Sequence, residues 1–186
     1  MKKFALVLAA LAVAVVLLAT RHSSQPDARE PASTRSPSPA AAETPSMTEY
    51  TSSDGAVHLL YPSDMKPVEP GVNTNIVFSM ENADGLVTVY ANTEFSPRTA
   101  MANVSKLLEK QGFSLEPSTT QDTTSGAPIM SVSATGEADG REVRIKDFFT
   151  TSGDGKTTYT VMVAGPTDSF APGGASNAIA MSVGHA

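Results

Sequence analysis

Four Asp-Gly pairs punctuate the greater part of this chain: Asp54-Gly55, Asp84-Gly85, Asp139-Gly140 and Asp154-Gly155. Asp-Gly suits type I′ turns, in which both central residues take positive φ, and such turns join antiparallel strands. Each pair is followed by an alternating or apolar stretch. Residues 56–61 form a first strand closed by Pro62. In residues 86–95, Val87, Val89 and Ala91 face one way and Thr88, Tyr90 and Asn92 the other, with residues 75–80 as hairpin partner. Met130, Val132 and Ala134 alternate with Ser131, Ser133 and Thr135. Val143, Ile145 and Phe149 then stand against Glu142, Arg144 and Lys146, and Tyr159, Val161 and Val163 against Thr158 and Thr160. Period-two alternation with a polar second face predicts an antiparallel sheet with one side wet or thinly covered, its last three strands forming a meander.

One helix is well specified. Ser96 can cap it, Pro97 fits its first turn, and Ala100, Val104, Leu107, Leu108 and Gln111 recur at helical spacing. Lys106 and Lys110 suit the negative end of its dipole, and Gly112-Phe113 is a stop signal. A shorter helix is expected over residues 175–180, after Pro172-Gly173-Gly174. The fold class is therefore α+β: a twisted antiparallel sheet with one well-defined helix and a short C-terminal helix packed on it.

The first 48 residues are of another kind. Lys2 and Lys3 precede an apolar or small run over residues 4–19, the pattern of an export signal. Leu18 and Thr20 do not supply the small residues that signal peptidase needs, and the Ala12 and Ala14 pair lies inside the run, so an uncleaved membrane anchor is favoured over a cleaved signal peptide. Sixteen helical residues span ~24 Å, short of a ~30 Å hydrocarbon core, so Lys3 and Arg21 would snorkel. The positive-inside rule leaves Lys2 and Lys3 in the cytoplasm and the rest outside it, periplasmic or otherwise extracytoplasmic and anchored in the inner membrane by residues 4–19. Residues 21–48, rich in Ser, Pro, Ala and Thr, read as a disordered linker. Through Thr48 the chain carries five Lys or Arg and three acids, net +2; from Glu49 onward it carries eight and sixteen, net −8. The acidity belongs to the domain at residues 49–186.

Zero cysteines exclude thiol catalysis, Cys-containing metal sites and lipidation at a Cys, and a pI near 5.0 argues against nucleic acid as a partner. The three histidines are His22 in the linker, His58 on a strand and His185 near the C-terminus, too dispersed for a multi-histidine site. No nucleophile elbow, P-loop, dinucleotide or zinc-protease motif occurs, and no Asp-Gly turn has EF-hand spacing, so no cofactor and no metal is expected. Glu137 and Asp139 near Glu142 could form a carboxylate pair, although acids at a hairpin turn usually mark a solvated edge. Arg141, Arg144, Lys146 and Lys156 are half of the domain's eight basic residues, and in an acidic domain they are the candidate partner-docking face.

The order of elements and the residues at their joints resemble a known group. Tyr61-Pro62-Ser63-Asp64-Met65 is similar to the strand end of PsbP/DcrB/LpqN-like proteins, Leu107-Leu108-Glu109-Lys110-Gln111-Gly112-Phe113 to the end of their first helix, and Tyr159-Thr160-Val161, Pro166, Phe170, Ile179 and Ser182-Val183 to their closing strand and helix. The resemblance implies an α/β/α sandwich found in exported bacterial proteins that mostly bind other proteins, with no shared catalytic set. Met65 stands where the group often has Trp, and no lipobox Cys follows the apolar run. The expected function is a non-enzymatic binding module of the cell envelope, its partner an envelope protein. The alternatives are a periplasmic immunity or inhibitor protein and, further off, a carboxylate hydrolase.

Overall fold

The computed structural model describes residues 46–69, 75–121, 127–138 and 140–185. The expected anchor, nearly all of the linker, and Asp139 lie outside them. Among the described residues, ten strands, two α-helices and a 3-10 turn follow in the order β1 (Met47–Thr51), β2 (His58–Pro62), β3 (Lys66–Pro67), β4 (Ile76–Asn82), β5 (Gly85–Asn92), α1 (Pro97–Lys110), β6 (Ser114–Leu115), β7 (Thr119–Gln121), β8 (Ile129–Ala138), β9 (Arg141–Thr151), β10 (Thr158–Pro166), the 3-10 turn (Thr167–Phe170) and α2 (Ala175–Ser182). The main sheet is antiparallel, ordered β3-β4-β5-β10-β9-β8-β6, with β7 also on β8. The expected meander is β8-β9-β10. Its last strand closes the sheet by pairing with β5, so Val161 lies opposite both Val89 and Phe148.

Strand alternation feeds two cores. Leu86, Val132, Ala134, Val143, Ile145, Phe149, Met162 and Ala164 point toward α1, which returns Ala100, Val104, Leu107 and Leu108. Val87, Val89, Phe148, Tyr159, Val161 and Val163 point the other way, toward Leu59 of β2 and Ile179 and Ala180 of α2. The result is the expected α+β sandwich, a large antiparallel sheet with a helix on each face. The first two strands, however, stand off the main sheet as a separate β1-β2 ribbon beside α2. β1 also reaches back to Met47 and Thr48, which composition groups with the linker. Contacts made after folding explain this: Thr48 Oγ1 meets Ser63 Oγ at 2.8 Å, and the Tyr50 ring stacks on Phe78 with centroids 4.1 Å apart.

α1 begins and ends as its sequence dictates. The Ser96 Oγ accepts from the Thr99 amide, Pro97 follows, and past Lys110 the Phe113 and Gly112 amides bond the Leu108 and Glu109 carbonyls in a Schellman closure. α2 is fastened by hydroxyls. Ser182 Oγ accepts from the Leu60 amide at 2.8 Å, His58 and Gly184 exchange backbone bonds in an antiparallel bridge, and Ser169 Oγ and Ser176 Oγ lie 2.8 Å apart.

The three Asp-Gly turns that lie wholly among the described residues divide into two kinds. The loops at residues 52–57 and 152–157 have six residues and the same bonds. Ser52 Oγ and Ser152 Oγ donate to Asp54 and Asp154, whose Oδ1 atoms accept from the Ala56 and Lys156 amides, and Gly55 and Gly155 sit at φ 69° and 71°. At the β4-β5 hairpin the turn residues are instead Ala83 and Asp84, because Asn82 Oδ1 accepts from the Asp84 and Gly85 amides. Gly85 is a strand residue, and its reason is space. A Cβ there would lie 2.7 Å from Ser176 Oγ, and one at Gly165, opposite Arg144 on β9, would lie 2.6 Å from the same atom and 2.7 Å from the Asp84 carbonyl oxygen.

Gly165→Ala should therefore destabilise the domain by about 2 kcal/mol, through displacement of α2 from the sheet. Urea unfolding checks this, with Gly153→Ala, where a Cβ meets nothing within 4 Å, as the control expected to change little.

Candidate functional site

The four basic residues singled out in the sequence do not form one face. Arg141 is exposed at the β8-β9 hairpin, whereas Lys156 lies in the β9-β10 loop at the other end of β9, roughly 30 Å away at strand rise. Lys156 is 80% exposed and pairs with Asp154 of its own loop at 3.4 Å. Arg144 is already engaged: its Nη2 donates to both carboxylate oxygens of Glu116, at 2.6 Å to Oε1, and its guanidinium lies 5.8 Å from the Phe170 ring centroid. Lys146 is half-buried, its Nζ 5.1 Å from the Phe148 ring centroid. Alternation does place Arg144 and Lys146 on one side of β9, but only Arg141 and Lys146 remain for a partner. Glu137 and Glu142 are directly paired across the hairpin and both are exposed, so no enclosed site surrounds them.

A different basic surface is assembled by α1. Its inner stripe is apolar, and its outer side exposes Arg98, Ala102, Lys106 and Lys110 at four-residue steps, with Glu109 the lone acid there. Arg98 to Lys110 covers ~18 Å of helix. None of the three cations takes part in an ion pair among the described residues. Lys106 and Lys110 suit the helix C-terminus, but Arg98 stands in the first turn, where the dipole disfavours a cation and where no acid is present to offset it.

Beneath the same helix lies an acid. Asp147 points to the α1 side between Val132 of β8 and Met162 of β10 and is fully buried. Neither carboxylate oxygen has a hydrogen-bond partner. Burial pushes this carboxyl up to about 8, so it is neutral at pH 7. Polar neighbours fill the adjoining part of that sheet face: Thr88, bonded to Ser79 at 2.9 Å, then Thr160 and Tyr90. The Tyr90 hydroxyl is raised by its burial and then by Asp147, so it too stays neutral.

No protein-family model matches this chain, and no curated protein does either. Among solved structures, one from Bacteroides thetaiotaomicron VPI-5482 is similar at 16% identity with a TM-score of 0.44, over 74% of this chain. The chain spans about half of that protein's length, 48%.

The remaining polar contacts join elements. Tyr159 donates its hydroxyl to Asp54 Oδ2 at 3.0 Å, which ties β10 to the ribbon; burial and then Asp54 push the Tyr159 phenol up to about 12. Burial works against ionisation of Asp54, but the bonds from Ser52, Ala56 and Tyr159 prevail and hold it below the usual carboxylate range. His58 lies 3.3 Å from Glu49 across the ribbon, and His185 donates from Nε2 to the Ala127 carbonyl at 2.8 Å, a structural role for each ring. Among the described residues, no group of three or more acids or histidines could hold a metal. Asp147 is the residue that sequence reading passed over, although the parity that sends Val143, Ile145 and Phe149 inward sends Asp147 with them. In the sequence Lys106 and Lys110 read as partners of the helix dipole, and Arg98 carries no local signal.

The folded chain keeps the Asp147 proton up to about pH 8, whereas an unfolded chain releases it near ~4. Between these values the folded state binds the extra proton, so this group's contribution falls as pH rises, by at most ~1.4 kcal/mol per unit, and is constant outside the window. Asp147→Asn removes that slope. Urea unfolding at the two ends of the window should show a larger loss of stability for the wild type than for the variant.

Proposed function

We propose that this chain is a non-enzymatic binding module of the cell envelope, anchored by residues 4–19, which presents the outer face of α1 to an envelope protein with an acidic surface. The observation that carries this reading is the row of cations Arg98, Lys106 and Lys110, without an ion pair among the described residues, on the exposed side of one helix of a domain whose net charge is −8. The rest of the domain holds the acid surplus, so this face orients the encounter with an acidic partner and repels a basic one. The point of attachment agrees with it. The linker meets the domain at β1, in the ribbon layer, while α1 lies across the sheet from the ribbon, roughly 20 Å away. A domain held from the ribbon side offers α1 outward. The element order, with a capped helix ahead of a three-strand meander and a short closing helix, supports the PsbP/DcrB/LpqN-like reading, whose members mostly bind proteins.

A photo-crosslinking residue placed at Ala102 in the full chain, in membranes of a host that carries the chain natively, tests this. The expected result is one discrete protein adduct, reduced at least about tenfold by combined Arg98→Glu, Lys106→Glu and Lys110→Glu, and unchanged by Arg141→Glu with Lys146→Glu. An adduct only to lipid, or a protein adduct indifferent to the three helix reversals, rejects the reading.

A further inference from the structure

α1 and the sheet under it are held together by different means. The strands around Asp147 are bonded into ladders on both edges, β9 to β8 and to β10 along its length. α1 has no ladder. It rests on the sheet through Ala100, Val104, Leu107 and Leu108, and its ends are the bend at residues 93–95 and the glycine turn at Gly112. Such an element can open locally while the ladders stay intact.

Several elements pack on the sheet face that Asp147 shares, Val68 beyond β3 and Phe95 ahead of α1 among them. α1 contributes apolar side chains, β8 contributes Val132, β10 contributes Met162 and Thr160, and β5 contributes Thr88 and Tyr90. Tyr90 is the one titratable group among them, and being neutral it cannot balance a carboxylate. The other side of β9 is closed by Phe148 and the second core. Displacement of α1, which packs on β8, β9 and β10, would open a path to water for an ionised Asp147.

We infer that Asp147 is a proton-controlled latch on α1: with the carboxyl protonated the helix lies on the sheet, and on loss of that proton the helix lifts while the strands stay paired. The latch needs no ligand, metal or partner. Its consequence for docking, that the cationic face is held in place only while Asp147 keeps its proton, rests on the function proposed above.

Amide hydrogen exchange on the full chain in detergent micelles, across about pH 5 to about pH 8, tests the latch without any partner, so its result is independent of whether α1 docks anything. The expected outcome is that amides of residues 101–110 exchange through an opening less protected than that of β10 at every pH, and that their protection falls on the order of tenfold per pH unit. In Asp147→Asn, and in the apolar Asp147→Val, that pH dependence disappears from α1. Equal exchange free energies for α1 and β10 at every pH would mean that only global unfolding exposes Asp147, and would overturn the latch. So would α1 protection in the wild type that does not change with pH, or a slope that survives in either variant.

Discussion

β10 is hydrogen-bonded along both edges, to β5 on one side and β9 on the other, and every residue from Thr158 to Gly165 is buried. The rest of the architecture depends on this double pairing. The β4-β5 hairpin and the β8-β9 hairpin each have an alternating pattern, but a pair of strands is marginal in water by itself. When β10 enters between them, Met162 and Ala164 join the core under α1 while Tyr159, Val161 and Val163 join the core under the ribbon and α2. One strand thus fixes the register of two hairpins and the content of two cores, and a slip of one residue would exchange those contents. It is also a late strand in the chain, so the sheet cannot close until most of the domain is present.

Closure by β10 brings its C-terminal end beside the β4-β5 turn, and there the backbone of two strands must admit α2. Gly85 and Gly165 lie opposite one another on β5 and β10, at the sites where Ser176 and Ser169 descend. The hydroxyls settle the polar groups that this close approach would otherwise leave unpaired: Ser169 Oγ donates to the Pro166 carbonyl and Ser176 Oγ to that of Asp84. The helix is held by a few hydrogen bonds to bare backbone, which lets so short an element, eight residues, remain docked.

Much of this was legible in the sequence, for a reason that also marks where legibility ends. Local signals translate directly: Ser96, Pro97 and Gly112 set the ends of α1, and alternation gave the central strands. The β1-β2 ribbon was invisible as a separate layer because its identity rests on Tyr50 and Tyr61 packing against Phe78, contacts across unrelated segments. The short strands β3, β6 and β7 carry two or three residues each, too few for a periodic pattern. The basic cluster misled because sequence nearness within the β8-β9-β10 meander puts Arg141 and Lys156 at opposite ends of an eleven-residue strand. Arg144 was further removed from any partner by Glu116, which reaches it from the irregular edge beside β8.

The isolation of Asp147 follows from the same alternation. Its chain neighbour Lys146 and, three residues back, Arg144 are cations within about 10 Å of chain, yet strand parity sends both to the opposite face of the sheet. The cations of α1 are no nearer in effect, since the helix turns them to solvent to bury Leu107 and Leu108. A carboxyl so placed has no counter-ion to stabilise its charge and no hydrogen-bond donor to satisfy it, so a proton is the one means of neutrality left. An apolar residue of similar size would pack there at lower cost. The acid instead makes the seat of α1 depend on the protonation of one group. That dependence falls on the helix whose other side carries Arg98, Lys106 and Lys110.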